Sequence, residues 1–101
     1  MSDGPFECWE AEAILAAVEY CVYPDGNIYI GELKDLAPSG YGELNNKDGS
    51  TIKGIWENGD IDKGTIIKSN NEVYTGQLKN LKSHGVGEYI YQNKNVYRGT
   101  W

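Results

Sequence analysis

Four short segments of this chain are variants of one phrase. Residues 29–33 read YIGEL, 52–56 IKGIW, 74–78 YTGQL and 97–101 YRGTW: an aromatic or isoleucine, glycine two positions on, and leucine or tryptophan two beyond that. Their starts lie 23, 22 and 23 residues apart. A fixed period of this length marks an array in which each unit is one supersecondary element that buries its apolar face only against its neighbours. The same frame holds upstream of each phrase, where Gly42, Gly64 and Gly87 each stand 12 residues before Gly54, Gly76 and Gly99. The segments between them centre on Asn, Asp, Lys and Gly, the composition of hairpin loops. Each unit is therefore expected to be one β-hairpin, at residues 41–56, 63–78 and 86–101. A degenerate first hairpin is expected at 18–33, with Glu19 where the others carry glycine and Pro24, Asp25 and Gly26 in its turn.

Strand alternation sorts these residues onto faces, because positions two apart point the same way. Tyr29, Gly31 and Leu33 share one side with their equivalents, ending in Tyr97, Gly99 and Trp101, while Lys53, Thr75, Arg98 and Thr100 occupy the other. Cys21, Leu44, Ile66 and Tyr89 extend the apolar side in the first strands. The glycines on that side are expected to leave room for aromatic rings to lie over bare backbone.

The order Tyr-x-Gly-x-Leu/Trp, then Gly-x-Gly, then an Asp-Gly or Asn-rich turn, resembles the MORN (membrane occupation and recognition nexus) repeat over residues 19–101. The aromatic position of that motif falls on Tyr29, Tyr74 and Tyr97. Its following glycine falls on Gly31, Gly54, Gly76 and Gly99, and its paired glycines on Gly40 with Gly42 and Gly85 with Gly87. Ile52, Asp62, Leu33 and Leu78 depart from the pattern. The resemblance implies one elongated, twisted antiparallel sheet with an aromatic groove along one face, acting as a scaffold or partner-binding module. Phospholipid binding is proposed for some members, and the repeats themselves imply no catalysis.

A single sheet must cover its aromatic face with another element. Residues 1–17 supply the candidate: the segment after Pro5 is rich in Ala, Leu and Glu, and at 100° per residue it sets Ala11, Ile14, Val18 and Cys21 on one side. A helix is expected over about residues 6–17, packed on the sheet or exchanged with a second protomer. The fold class expected is thus mainly β, four MORN-type hairpins with one N-terminal α-helix, in a single structural domain of 101 residues.

Charge is unevenly spread along the chain. Residues 1–62 carry a formal charge of −10 and residues 63–101 carry +4, for a total of −6. No run of about 18 apolar residues is present to span a bilayer as a helix, and the N-terminus lacks the basic-then-apolar order of a secretory signal, so a cytoplasmic protein is expected. Cys8 and Cys21 form no metal-binding spacing and are read as free, buried thiols. His84, the one histidine, is read as a loop residue leading into Gly85, and Asp60 and Asp62 as a solvated connection with too few oxygens for calcium. With no nucleophile triad, P-loop or dinucleotide fingerprint, neither an enzyme nor a cofactor is expected.

Three functional expectations follow. The first is a protein-interaction module, with Tyr29, Tyr41, Trp56, Tyr74, Tyr89, Tyr97 and Trp101 as an aromatic groove for a partner segment or a second copy. A strand closing on Trp101 is expected to present a free edge, met by a two-fold dimer or a partner. The second is an acidic inhibitor or immunity-type protein that blocks a basic site through Glu7, Glu10, Glu12, Glu19 and Asp25. The third is an anionic-phospholipid surface at Lys79, Lys82 and Arg98; the net charge disfavours nucleic acid.

Overall fold

The computed structural model describes residues 7–12 and 17–101, with side chains from Glu19 onward. Among the described residues the protein is all β. Nine strands form a single open antiparallel sheet in chain order: β1 (Glu7–Glu12), β2 (Ala17–Val22), β3 (Ile28–Lys34), β4 (Ala37–Asn45), β5 (Thr51–Trp56), β6 (Lys63–Ile67), β7 (Val73–Lys79), β8 (Lys82–Ile90) and β9 (Val96–Thr100). Every strand pairs only with its neighbours in sequence, as expected when a hairpin repeats. No helix among the described residues is long and apolar enough to cross a membrane.

The expected N-terminal helix is corrected by β1. Residues 7–12 pair with β2, Glu7 opposite Val22 through Glu12 opposite Ala17; the rest of the expected helix up to residue 16 lies outside the described residues. Helix propensity is a weak prior, and here it yields to the unpaired edge of β2, whose backbone groups gain a ladder from a neighbouring strand. The thiol expectation is corrected as well: Cys21 is disulfide-bonded. Cys8, the chain's other cysteine, stands directly opposite it in the β1–β2 register. Facing antiparallel positions place Cα atoms about 4.5–5.5 Å apart, within the range a disulfide spans.

Four loops joining β2–β3, β4–β5, β6–β7 and β8–β9 are copies of one turn. In each, an amide is donated back to a carbonyl three residues earlier: Gly26 to Tyr23 (3.0 Å), Gly49 to Asn46 (3.0 Å), Asn71 to Lys68 (2.8 Å) and Lys94 to Tyr91 (2.9 Å). The donor always has positive φ, 93° at Gly26, 95° at Gly49, 70° at Asn71 and 73° at Lys94. The carboxylate or amide oxygen of Asp25, Asp48, Asn70 or Asn93 accepts the backbone N–H two residues on. The period of the sequence is therefore the period of this turn.

Between these turns the registers align all the repeat glycines. Gly31, Gly42, Gly54, Gly64, Gly76, Gly87 and Gly99 are each directly opposite the next, a row without side chains across β3 to β9. Beside it runs an apolar row of Cys21, Tyr29, Leu44, Ile52, Ile66, Tyr74, Tyr89 and Tyr97. All but Tyr97 are buried and belong, with Trp56, Ile61 and Leu78, to the core on this front face. The front face is covered from within: the ring of Tyr29 lies over Gly31 and Gly42, that of Tyr74 over Gly76 and Gly87, and the Ile61 side chain over Gly54 and Gly64.

Candidate functional site

The aromatic site is built twice. Residues 27–56 and 72–101 superpose in sequence at a spacing of 45 positions, matching Tyr29 with Tyr74, Glu32 with Gln77, Gly42 with Gly87 and Trp56 with Trp101. In both copies the strand before the two-residue turn carries a bulge, between Gly31 and Leu33 and between Gly76 and Leu78. A bulge leaves backbone polar groups without ladder partners. Here the same two side chains supply them. The Glu32 carboxylate accepts the Tyr41 N–H and the Gln77 amide oxygen accepts the Val86 N–H, both at 2.8 Å. The Tyr29 hydroxyl donates to the Glu32 carbonyl at 2.8 Å, and the Tyr74 hydroxyl to the Gln77 carbonyl at 2.6 Å.

Each tyrosine then meets a tryptophan edge-on. Tyr29 and Trp56 have ring centroids 5.4 Å apart at 79°, and Tyr74 and Trp101 are 5.5 Å apart at 88°. Such pairs contribute about 0.5–1.5 kcal/mol beyond the area they bury. The two copies differ in what covers them. Trp56 donates its indole N–H to the Gly42 carbonyl (3.0 Å) and is 2% exposed, in one core cluster with Ile61. Trp101 is 39% exposed and gathers Tyr97 at 5.1 Å and Tyr89 at 5.5 Å, with Tyr91 a further 4.7 Å from Tyr89. Tyr97 and Tyr91 are exposed beside it.

One ionisable pair sits in this cluster. The Tyr89 hydroxyl donates to the Glu72 carboxylate, with Lys68 Nζ 5.2 Å from the centre of the Tyr89 ring. Burial, then the hydrogen bond to Glu72, pushes the Tyr89 phenol up to about 12, while that same bond holds the Glu72 carboxyl below its usual range. Tyr29 is also pushed up to about 12, by burial first and by the nearby Glu32 charge second.

Of the seven expected groove residues, Tyr29, Trp56, Tyr74 and Tyr89 are buried in the core, and Tyr97 and Trp101 are exposed at one end. Tyr41 stands on the back face opposite Ile55, where with Lys53, Lys63, Thr65 and Thr75 it borders a shallow depression. Among the acidic residues, Glu19 is half-buried in β2 and Asp25 exposed in its turn, while the side chains of Glu7, Glu10 and Glu12 lie outside the description. Lys79 and Lys82 flank the β7–β8 turn, and Arg98 is paired with Glu88 on the back face. His84 is exposed. The Asp60 carboxylate accepts the Ile61 N–H, and the Asp60 backbone exchanges hydrogen bonds with Glu57 to close the turn at Asn58 and Gly59. No group of three or more potential metal ligands occurs among the described residues.

Sequence reasoning missed Glu32 and Gln77, although both directly follow a repeat glycine, and it missed Ile61, which stood in a connection read as solvated. No protein-family model matches the chain, and no curated protein matches it.

Proposed function

We propose that this protein is a non-enzymatic interaction module of MORN-like construction that engages a protein partner at the Tyr97–Trp101 end of its aromatic face. The observation that carries this reading is the inequality of two equivalent tryptophans, Trp56 at 2% exposure and Trp101 at 39%. Trp101 and the exposed Tyr91 and Tyr97, joined through Tyr89, form a contiguous apolar patch, and aromatic patches of this type are enriched in protein interfaces. The disulfide at Cys21 weighs against the cytoplasmic setting expected from the sequence, since such bonds persist in oxidising compartments.

The test is a pair of substitutions, Tyr97→Ala and Trp101→Ala, compared with wild type by affinity capture and by light scattering. Capture or self-association should fall at least tenfold. If both were unchanged in a folded double variant, the reading would be lost.

A further inference from the structure

We infer that the back face of the sheet, over β4 to β9, binds the same face of a second copy of this chain, about a two-fold axis parallel to the strands between β6 and β7. This concerns the face opposite the aromatic one and goes beyond the reading above. Ile28, Ile30, Tyr41, Ile55, Val86 and Val96 are exposed, and alternation against the tyrosine and glycine rows sets all six on the back face. The front face covers itself with rings folded over its own glycines. The back face of a one-layer sheet has no such device, and exposed apolar surface of this extent marks an interface.

Charge selects a second copy as the occupant. The registers run one row of side chains across the middle of this face: Glu43 opposite Lys53, Lys53 opposite Thr65, Thr65 opposite Thr75, Thr75 opposite Glu88 and Glu88 opposite Arg98. From β4 to β9 the signs are minus, plus, neutral, neutral, minus, plus. From β9 back to β4 they are plus, minus, neutral, neutral, plus, minus, the opposite sign at every charged place. A two-fold axis along the strands performs this reversal, because it lays β4 on β9 of the second copy and β5 on its β8 while each residue keeps its height along the strand. Glu43 then meets Arg98 of the second copy and Lys53 meets its Glu88, with Thr65 and Thr75 beside the axis. Sliding the second copy by one strand sets Glu43 against Glu88 in one direction and Lys53 against Arg98 in the other, so like charges oppose both slips. Within one copy Glu88 is already ion-paired with Arg98. Each acid–base pair thus meets its inverse, and no lone charge is brought into the contact.

The rows on either side match in the same alignment. On one side Ile55 in β5, 66% exposed, meets Val86 in β8, 65% exposed; each adjoins a repeat glycine, Gly54 or Gly87, at the same height. On the other side Ile67 in β6 meets Val73 in β7, which stand opposite each other within one copy. Six strands about 4.8 Å apart and five residues at about 3.4 Å along each give a footprint about 29 Å by 17 Å, or about 1,000 Å² over both copies, the lower end of what a specific contact buries.

Sedimentation velocity of the full chain, from micromolar to millimolar concentration, tests the contact. Wild type should form a dimer that added salt loosens. Glu43→Lys and Arg98→Glu should each weaken it about tenfold or more, because either change sets two like-charged pairs across the axis. Mixing the two variants should restore the dimer: the new lysine of one chain faces the new glutamate of the other, and the native Glu43 and Arg98 face each other. Positions 43 and 98 of one chain lie five strands, about 24 Å, apart, so recovery on mixing reports a contact between copies and no folding defect can produce it. A wild type that stays monomeric, single variants that associate as wild type does, or a mixture that fails to recover would each overturn the inference. A dimer dispersed by Tyr97→Ala and Trp101→Ala but not by the charge reversals would place the contact on the front face and overturn it equally. Loss of partner capture in those two alanine variants bears on the reading above alone.

Discussion

The ring of Tyr74 in β7 rests on the bare α-carbon of Gly87 in β8, and its hydroxyl reaches past that glycine to the carbonyl of Gln77 at 2.6 Å. Tyr29 and Gly42 repeat the arrangement. The glycine and the tyrosine are thus one device: the missing side chain is what lets the hydroxyl satisfy the bulge. Gly87→Ala should cost about 2 kcal/mol or more, combining overpacking with a displaced hydroxyl. Gly59→Ala, with no atom within 4 Å of its added methyl and only a φ of 82° to penalise it, should cost about 1 kcal/mol. Urea unfolding of the two variants checks the ordering.

The bulge makes a second prediction. Gln77→Ala leaves the Val86 N–H without its 2.8 Å acceptor and should lower stability by about 1 kcal/mol. Gln77→Glu should be close to neutral, because Glu32 does the same work for Tyr41. Thermal melts of the two variants, with hydrogen exchange at the Val86 amide, separate the cases.

Lys94 holds a φ of 73° in the turn position that Gly26 and Gly49 fill elsewhere. A left-handed conformation costs a non-glycine residue about 1–2 kcal/mol, partly offset by the greater chain entropy of glycine when unfolded. Lys94→Gly should therefore raise stability by about 0.5–1 kcal/mol, read as an increase in the urea midpoint.

The Tyr89–Glu72 pair sets a window of pH. The folded Tyr89 phenol lies at about 12 against an ordinary 10.0, so its contribution is complete below pH 10 and is lost as pH rises through 12. The Glu72 carboxyl lies below its ordinary 4.5, so its contribution is present above that value and lost as pH falls. In wild type, ultraviolet titration should show phenols ionising late, near pH 12, Tyr89 and Tyr29 among them. In Tyr89→Phe the stability profile should be flatter at both ends.

What could be seen in the sequence was what repeats. The glycines at fixed offset and the Asx-rich turns act locally and recur, so their spacing declares the hairpins, and alternation then assigns Leu44, Ile66 and Tyr89 to the apolar side. The same alternation puts Tyr41, adjacent to Gly42, on the back face. The N-terminal strand was not legible, because Ala, Leu and Glu favour a helix in isolation and only the open edge of β2 makes a strand preferable. The cover of the aromatic face was legible in part, since the glycines led to rings lying over bare backbone, as Tyr29 and Tyr74 do. A lid was expected from outside, whereas tyrosine rings folded over glycine need none.

The strict chain order of the sheet has a mechanical consequence. By its backbone ladder strand β9 is joined to β8 alone, and each strand inward is likewise laddered only to its two neighbours in sequence. With β1 and β2 tied at Cys21, a load applied at the two ends would break the remaining ladders one at a time, like a zipper opened from its end, and no step would require many hydrogen bonds to rupture together. Added strands or units would lengthen the extension under load without raising the force of any single step, so the array would serve better as a compliant spacer than as a rigid strut.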